Sequence, residues 1–284
     1  MLAAALAVAV LLGLYALLVE PRLLLDERRL EHRLAGLDPA AGPVRAVFLA
    51  DLQLGMRWAN TGTVARAARA GAAAEPDLVL LGGDYLYSRS PDPAAQAAEA
   101  VALLQPLLDL DVPVLAVLGN HDHASGGAAE VTRALEATGV TVLVDESALV
   151  AVPGSSALHV VGLDSLRAAD VDVARALADV PPGAPRVVLT HNPTAFPRLP
   201  PGAAPLALAG HTHCGQVALP FSPHWSYLGL TQEEALVADG WAPEGYGADG
   251  NALFVSCGIG FSVLPVRFNA PPQVVVVDLL PAGG

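Results

Sequence analysis

The chain has 284 residues, 53% of them hydrophobic and only 15% charged, a length and composition that suit one large α/β domain able to fold without disulfides or a structural metal. The formal charge of −13 argues against a nucleic-acid backbone as the main partner, because that task needs a positive field. The two cysteines, Cys214 and Cys257, are too few for a disulfide framework; counting leaves a single bridge between them open, and the redox compartment with it.

The first segment differs in kind. Leu2 to Val19 carries neither charge nor proline and is closed by Glu20, Pro21 and Arg22. It is long enough to span a hydrocarbon core of ~30 Å, which predicts a single-pass membrane anchor over residues 1–22. A cleaved signal peptide is the competing reading, but no positive residue precedes the apolar run and no small-x-small site follows it. Arg22, Arg28, Arg29 and Arg33 all lie after the segment, which favours a cytoplasmic body by the positive-inside rule. Residues 23–43 are expected to form a linker, its stretch from Asp26 to Leu37 a charged helix broken by Pro39 to Pro43.

The domain is expected to occupy residues 44–284. Val44 to Ala50 reads as a strand, Thr61 to Ala74 as a helix, Asp77 to Leu81 as a strand, Pro93 to Leu110 as a helix and Val112 to Leu118 as a strand. Short β-like pieces follow at Val140 to Val144, Ala148 to Val152 and Leu158 to Leu163, then a helix from Val171 to Ala178. Strands at Arg186 to Thr190, Pro205 to Ala209, Ala252 to Ser256 and Gln273 to Leu279 complete the pattern. Denser strand spacing late in the chain suggests a second, mixed sheet packed on the first.

Five predicted strands end in polar clusters: Asp51-Leu52-Gln53, Gly83-Asp84, Gly119-Asn120-His121-Asp122, Thr190-His191-Asn192 and Gly210-His211-Thr212-His213. Loops that follow strand ends in an open α/β sheet converge on one edge, so these residues can meet in space. Carboxylate and amide oxygens with imidazole nitrogens suit borderline divalent ions. Two such ions would clamp the attacking and leaving oxygens of a displacement at phosphorus and turn a bridging water into hydroxide near neutral pH. Singly, each cluster is weak, since an Asp after a strand is commonly a helix cap; together and in this order they point to phosphate ester hydrolysis.

The ordered set resembles the calcineurin-like metallophosphoesterase superfamily from Val44 to Leu279. The ending Ser256-Cys257-Gly258-Ile259-Gly260, followed by Pro265-Val266-Arg267-Phe268-Asn269 and Pro271-Pro272, is similar to its bacterial membrane-associated phosphodiesterase-like branch, as is Gly215-Gln216 after the paired histidines. The resemblance implies a four-layer αββα sandwich of two mixed sheets with a dinuclear metal site at the strand-end loops. It would place one divalent ion on Asp51, Gln53, Asp84 and His213 and the other on Asp84, Asn120, His191 and His211, with Asp84 bridging. His121 matches the family's catalytic histidine, and Asp122 would orient it through its other ring nitrogen.

Gln53 stands where the family usually has His, so the first site is expected to be looser and to favour Mn²⁺, with Fe and Zn as alternatives. Branches that cleave nucleoside-diphosphate-linked substrates resemble this sequence in having Gln there. Cys214 is read as a packing residue, with an accessory ligand or a redox-sensitive thiol as alternatives. His123 is placed near the pocket or on the surface, and His32, His159 and His224 have no assigned role.

The stretch from Phe221 to Tyr246, with Trp225, Tyr227 and Trp241, could cover a base, a sugar or a lipid chain. The expected substrate is a lipid-linked or nucleotide-linked phosphate ester, a phospholipid or glycolipid diphosphate becoming attractive once the enzyme is tethered at a membrane. A catalytically weak phosphate-binding or scaffold protein and a membrane partner protein are the competing readings; a monomer is the default.

Overall fold

The computed structural model describes residues 1–40, 42–152, 157–166, 171–219, 222–226 (backbone only) and 239–282. Phe221 and Tyr227 lie outside these, and Trp225 and His224 are described only as backbone.

An apolar helix runs from Leu2–Leu23, as α1 (Leu2–Leu14), a π-helical turn (Tyr15–Val19) and α2 (Glu20–Leu23). Its 22 residues reach about 33 Å at 1.5 Å per residue. It is followed by β1 (Asp26–Leu34) and β2 (Val44–Leu49), then α3 (Thr61–Ala73), β3 (Leu78–Leu81), α4 (Pro93–Leu108), β4 (Val114–Ala116), α5 (Asn120–Ala124) and α6 (Ala128–Glu136). After β5 (Thr141–Val142), β6 (Glu146–Val150) and β7 (Leu158–Leu163) come α7 (Val173–Leu177), β8 (Arg186–Thr190), β9 (Ala207–Ala209), a hairpin of β10 (Ala218–Leu219) and β11 (Ser222–Ser226), β12 (Gly240–Trp241), β13 (Leu253–Val255) and β14 (Gln273–Pro281).

Two six-stranded sheets form, in the orders β1-β14-β2-β3-β4-β5 and β12-β13-β9-β8-β7-β6. Both are mixed: β14 runs antiparallel to β2 beside the parallel β2, β3 and β4, and β6 runs antiparallel to β7 beside the parallel β7, β8 and β9. Their apolar residues alternate as the period of two demands. Ala46, Phe48, Leu78 and Leu80 meet Val187, Leu189, Leu208 and Phe254 between the sheets. Val47, Leu49, Val79 and Leu81 face α3, α4 and α6 on the outer side of the first sheet. Val188, Ala207 and Val255 face α7 and the short 3₁₀ helix Pro193–Arg198 on the outer side of the second. This is the expected four-layer αββα sandwich.

One expectation fails. Asp26 to Leu37 is not a helix: Asp26–Leu34 is an edge strand, paired in parallel with β14 from Asp26 on Gln273 to Leu34 on Pro281. Its charged sequence suits an edge, where one side of the strand meets solvent. Much of the stretch expected to be a linker is therefore built into the first sheet.

Phe48 is fully buried between the sheets, its ring against Gly82. Phe48→Ala should lower the unfolding free energy of the full chain in detergent by about 3–5 kcal/mol. Leu149→Ala, at a position 63% exposed on β6, should change it by less than about 0.5 kcal/mol. Denaturant midpoints of the two variants, measured side by side, check the assignment of the core.

Candidate active site

The polar clusters after β2, β3, β4, β8 and β9 do converge on one edge of the sandwich. Asp51, Gln53, Asp84, Asn120, Asp122, His191, His211 and His213 are all buried. Asp51, Gln53, Asp84, His211 and His213 sit at positive φ, between 49° and 74°. A side chain in that region costs on the order of 1–3 kcal/mol, and such strain collects where function fixes the backbone. Packing is close enough to require glycine nearby: a Cβ on Gly119 would collide with the Asp84 carboxylate, and one on Gly258, itself at φ 62°, would collide with Asp51.

Four acceptor atoms meet at the centre. His191 Nε2 lies 3.2 Å from Asp84 Oδ2, 3.1 Å from Asn120 Oδ1 and 3.2 Å from His211 Nδ1. The opposite ring atom, His191 Nδ1, is 2.8 Å from the Gly82 carbonyl and donates to it, so the neutral ring turns its Nε2 lone pair to the centre. Asp84, His191 and His211 offer ligand atoms within 4.8 Å of one another. With His191 neutral, carboxylate, amide and imidazole lone pairs converge on one point, an arrangement that a divalent cation satisfies, and this half of the cluster fits one well.

The other half fits less well. Asp51 Oδ1 lies 3.5 Å from His213 Nε2, and both Asp51 oxygens accept from the His211 backbone N–H. Gln53 turns its Nε2 toward Asp84 Oδ2 at 2.8 Å and leaves its buried Oε1 without a hydrogen bond. Reversing the amide would bring Oε1 beside the Asp84 carboxylate, which only a cation between them would stabilise. His213 Nδ1 is 3.2 Å from Arg267 Nη2; a guanidinium has no acceptor, so the ring lone pair lies at Nδ1 and the proton of the neutral ring at Nε2.

Electrostatics follow from the same crowding. Burial, reinforced by Asp84, pushes the Asp51 carboxyl up to about 6 and that of Asp122 up to about 7. Asp84, equally buried, is held below the usual carboxylate range by His191 and His121. Burial alone would lower His191, but the Asp84 carboxylate overrides it and raises the ring to about 10. Burial and the Arg267 charge drive His213 well below the usual imidazole range. Without a cation the cluster must keep protons to hold its charges apart; a divalent ion replaces them.

His121 stands at the partly exposed rim, its Nε2 3.9 Å from Asp84 Oδ2. Asp122 does not orient it, contrary to expectation. The Asp122 carboxylate accepts instead from the backbone N–H groups of Asp84, Leu86 and Gly119 at 2.8–2.9 Å, fixing one ligand loop to the next. The His121 Nδ1 is met by Ser88, through its backbone N–H at 3.1 Å and its Oγ at 2.7 Å, and Tyr87 stacks on the ring at a centroid distance of 5.5 Å.

Three further features complete the surroundings of the site. Arg267 is fully buried and donates to the carbonyls of Gly260, Ala270 and Cys257 as well as to His213, tying the closing segment to the ligand loops. Cys214 and Cys257 form a disulfide, the single bridge that counting left open, in place of Cys214 as a packing thiol, accessory ligand or redox-sensitive thiol. Of the remaining histidines, His123 pairs with Asp164 at 2.9 Å, and His32 reaches the Pro205 carbonyl at 2.9 Å while stacking on Trp241, so that it links β1 to the second sheet.

Asp122→Ala would strip the acceptor from three buried N–H groups, each worth about 1–3 kcal/mol when left unmade. The expected result is a large fall in thermal stability with loss of metal binding. A variant melting within a few degrees of the unsubstituted protein would remove Asp122 from this structural role.

Residues 44–215 match the family model for calcineurin-like phosphoesterases. The chain is 30% identical over 258 residues to phosphodiesterase YaeI of Escherichia coli, covering 88% of this chain and 87% of that protein. It is 28% identical to the uncharacterized metallophosphoesterase YkuE of Bacillus subtilis, over 72% of this chain and 68% of the relative. UDP-2,3-diacylglucosamine pyrophosphatase LpxG of Chlamydia trachomatis is 27% identical over 44% of this chain and 38% of its own length. A match of this extent, together with acceptor atoms gathered at one sheet edge, makes the chain a member of the calcineurin-like phosphoesterase family and a metal-dependent phosphohydrolase.

Proposed function

We propose that the chain is a membrane-anchored phosphodiesterase or pyrophosphatase acting on a phosphate ester linked to a lipid, with a nucleotide-linked diphosphate as the soluble counterpart. The observation that carries the reaction class is the convergence of Asp84, Asn120, His191 and His211 on one point, with His121 at the rim. On this reading those four residues hold one divalent ion and Asp51, Gln53, Asp84 and His213 a second. Bound ions supply charge neutralisation of the phosphoryl oxygens and acidify the attacking water.

The chain's own groups supply the rest. The Ser88 backbone N–H can only donate, so His121 Nδ1 is the acceptor and Nε2 carries the proton of the neutral ring. His121 is thereby set to donate from Nε2 to a phosphoryl oxygen or to the departing alkoxide, with Tyr87 holding the ring plane. Gln53 and His213 both turn N–H groups toward the carboxylates, so the ion they share is expected to bind more weakly than the other.

The anchor and substrate readings draw on the apolar helix and on a relative. Glu20 and Pro21 are buried in the domain. Glu20 accepts from the backbone N–H groups of Asn269 at 2.9 Å and Ala270 at 2.6 Å, and the Pro21 carbonyl accepts from Asn60 at 3.0 Å and Thr63 at 2.9 Å. Cleavage after the apolar run would remove or loosen these bonds, which favours an anchor over a signal peptide. Residues 1–22 are accordingly assigned to the anchor and 44–284, with the edge strand from the intervening segment, to the catalytic domain. LpxG, by its name, acts on UDP-2,3-diacylglucosamine, a nucleotide diphosphate whose sugar carries two acyl groups. Sidedness is assigned to the oxidising face, because the Cys214–Cys257 bridge outweighs the basic residues that follow the helix.

After chelation, re-addition of Mn²⁺ to the full chain in detergent should restore hydrolysis of bis(p-nitrophenyl) phosphate, with one tightly and one weakly bound ion by titration. Zn²⁺ and Fe²⁺ should restore less. His121→Ala should lower kcat by about 10²–10⁴ with ion content and melting temperature kept. Turnover unaffected by the substitution would sink the assignment of His121, and failure to bind any ion would favour the phosphate-binding reading. In cells, a membrane-impermeant maleimide should label neither cysteine before reduction and both after it; labelling only in lysed cells without reductant would place the domain on the reducing side.

A further inference from the structure

Among the described residues, six large apolar side chains of the domain stand exposed beyond the helix and its exit at Leu24: Trp58, Leu149, Leu219, Trp241, Val263 and Leu264. Four of them lie on loops that leave the metal cluster. Trp58, 61% exposed, is five residues beyond Gln53. Leu219 ends the short strand after the paired histidines, where Ala218 N donates to the Phe268 carbonyl at 2.9 Å. Val263 and Leu264 follow Gly260, whose N–H donates to the Asp51 carbonyl.

These loops pack on the end of the apolar helix. Leu17 and Leu18 share a cleft with Arg22, Trp58 and Ala59. Arg22 donates from Nη2 to the Trp58 carbonyl at 2.9 Å and stands 5.5 Å over the Phe261 ring. Arg267 N donates to the Ala16 carbonyl at 2.9 Å, and Phe268 meets Tyr15 edge-on at 6.0 Å. Helix and ligand loops are thus one body, and the loops that carry Trp58, Val263 and Leu264 flank the helix where it joins the domain.

Backbone strain marks two of these positions. Trp58 has φ 63° and Val263 φ 64°. For a β-branched or bulky residue that is a costly conformation, and it leaves both side chains more than half exposed. Arg57 lies over the Trp58 ring at 5.2 Å, so a cation accompanies the indole. Tryptophan with a neighbouring basic residue, set at the end of an apolar helix, is a composition that suits a bilayer interface.

We infer that Trp58, Val263 and Leu264, with Leu219, form an interfacial platform that sits in the lipid headgroup layer and turns the mouth of the metal cluster onto the bilayer, so that the phosphate ester taken is one already resident in the membrane. The inference rests on the anchored-hydrolase reading and adds the surface that presents the substrate. A helix alone would tether the domain and leave it free to face the solvent; the platform orients it.

The test uses the full chain in vesicles of phosphatidylcholine and phosphatidylglycerol. With Trp225 and Trp241 changed to Phe, Trp58 is the remaining tryptophan of three, and lipids brominated near the headgroup should quench it more strongly than lipids brominated near the chain ends. Absence of quenching by either overturns the platform whatever the enzyme does.

In the second arm, the triple variant Trp58→Ser, Val263→Ser, Leu264→Ser should keep bis(p-nitrophenyl) phosphate turnover within about twofold, a control for folding. It should lose about tenfold on hexadecyl p-nitrophenyl phosphate held in the same vesicles. Equal loss on both substrates, or loss on neither, overturns the presentation of a membrane-resident ester. No turnover of either substrate by the unsubstituted chain defeats the hydrolase reading instead, while the quenching result still decides the platform.

Discussion

Three carboxylates, Asp51, Asp84 and Asp122, are withdrawn from water at one sheet edge, and much of the surrounding structure exists to make that tolerable. A buried charge is costly unless donors or opposite charges meet it. Asp122 takes three backbone N–H groups, Asp51 takes that of His211, and Asp84 takes that of His121 at 2.8 Å. Donors can reach these oxygens only if the loops turn back sharply after their strands. The turns explain why Asp51 and Asp84 themselves adopt positive φ and why glycine stands at 119 and 258. What the backbone donors leave uncovered faces the centre of the cluster, where histidine and asparagine add further acceptors. Their mutual repulsion is the driving force for taking up divalent ions.

The architecture and the gathered residues were largely legible because both depend on local pattern. Near-continuous apolar runs in β2, β3, β8 and β9 mark strands buried on both faces, between the sheets and under the helices, and the polar clusters follow where those runs end. Asp26–Leu34 was not legible, since its partner is β14, near the other end of the chain. A charged edge strand carries no buried stripe on both faces and so reads like a solvated helix. Asp122 was misread for a related reason: its place beside His121 suggests a side-chain pair, whereas the turn that opens α5 aims the carboxylate backward at the backbone of the preceding loop. Arg267 and the Cys214–Cys257 bridge connect positions whose proximity only the folded loops create.

The segment from Gly258 to Ala270 links otherwise separate requirements. Its beginning closes over Asp51, with Ile259 N donating to the Ala50 carbonyl and Gly260 N to that of Asp51. Its Arg267 side chain bonds the Gly260 and Ala270 carbonyls of the segment, the Cys257 carbonyl just before it and His213, while the same residue's backbone N–H bonds the apolar helix. Its end supplies the two N–H groups that satisfy buried Glu20. A displacement of the helix relative to the domain would therefore strand a buried carboxylate and disturb a guanidinium that touches the metal cluster, two penalties of several kcal/mol in a protein whose whole stability is about 5–15 kcal/mol. The helix behaves as a structural element of the active site, held against the domain by hydrogen bonds rather than joined to it by a flexible tether.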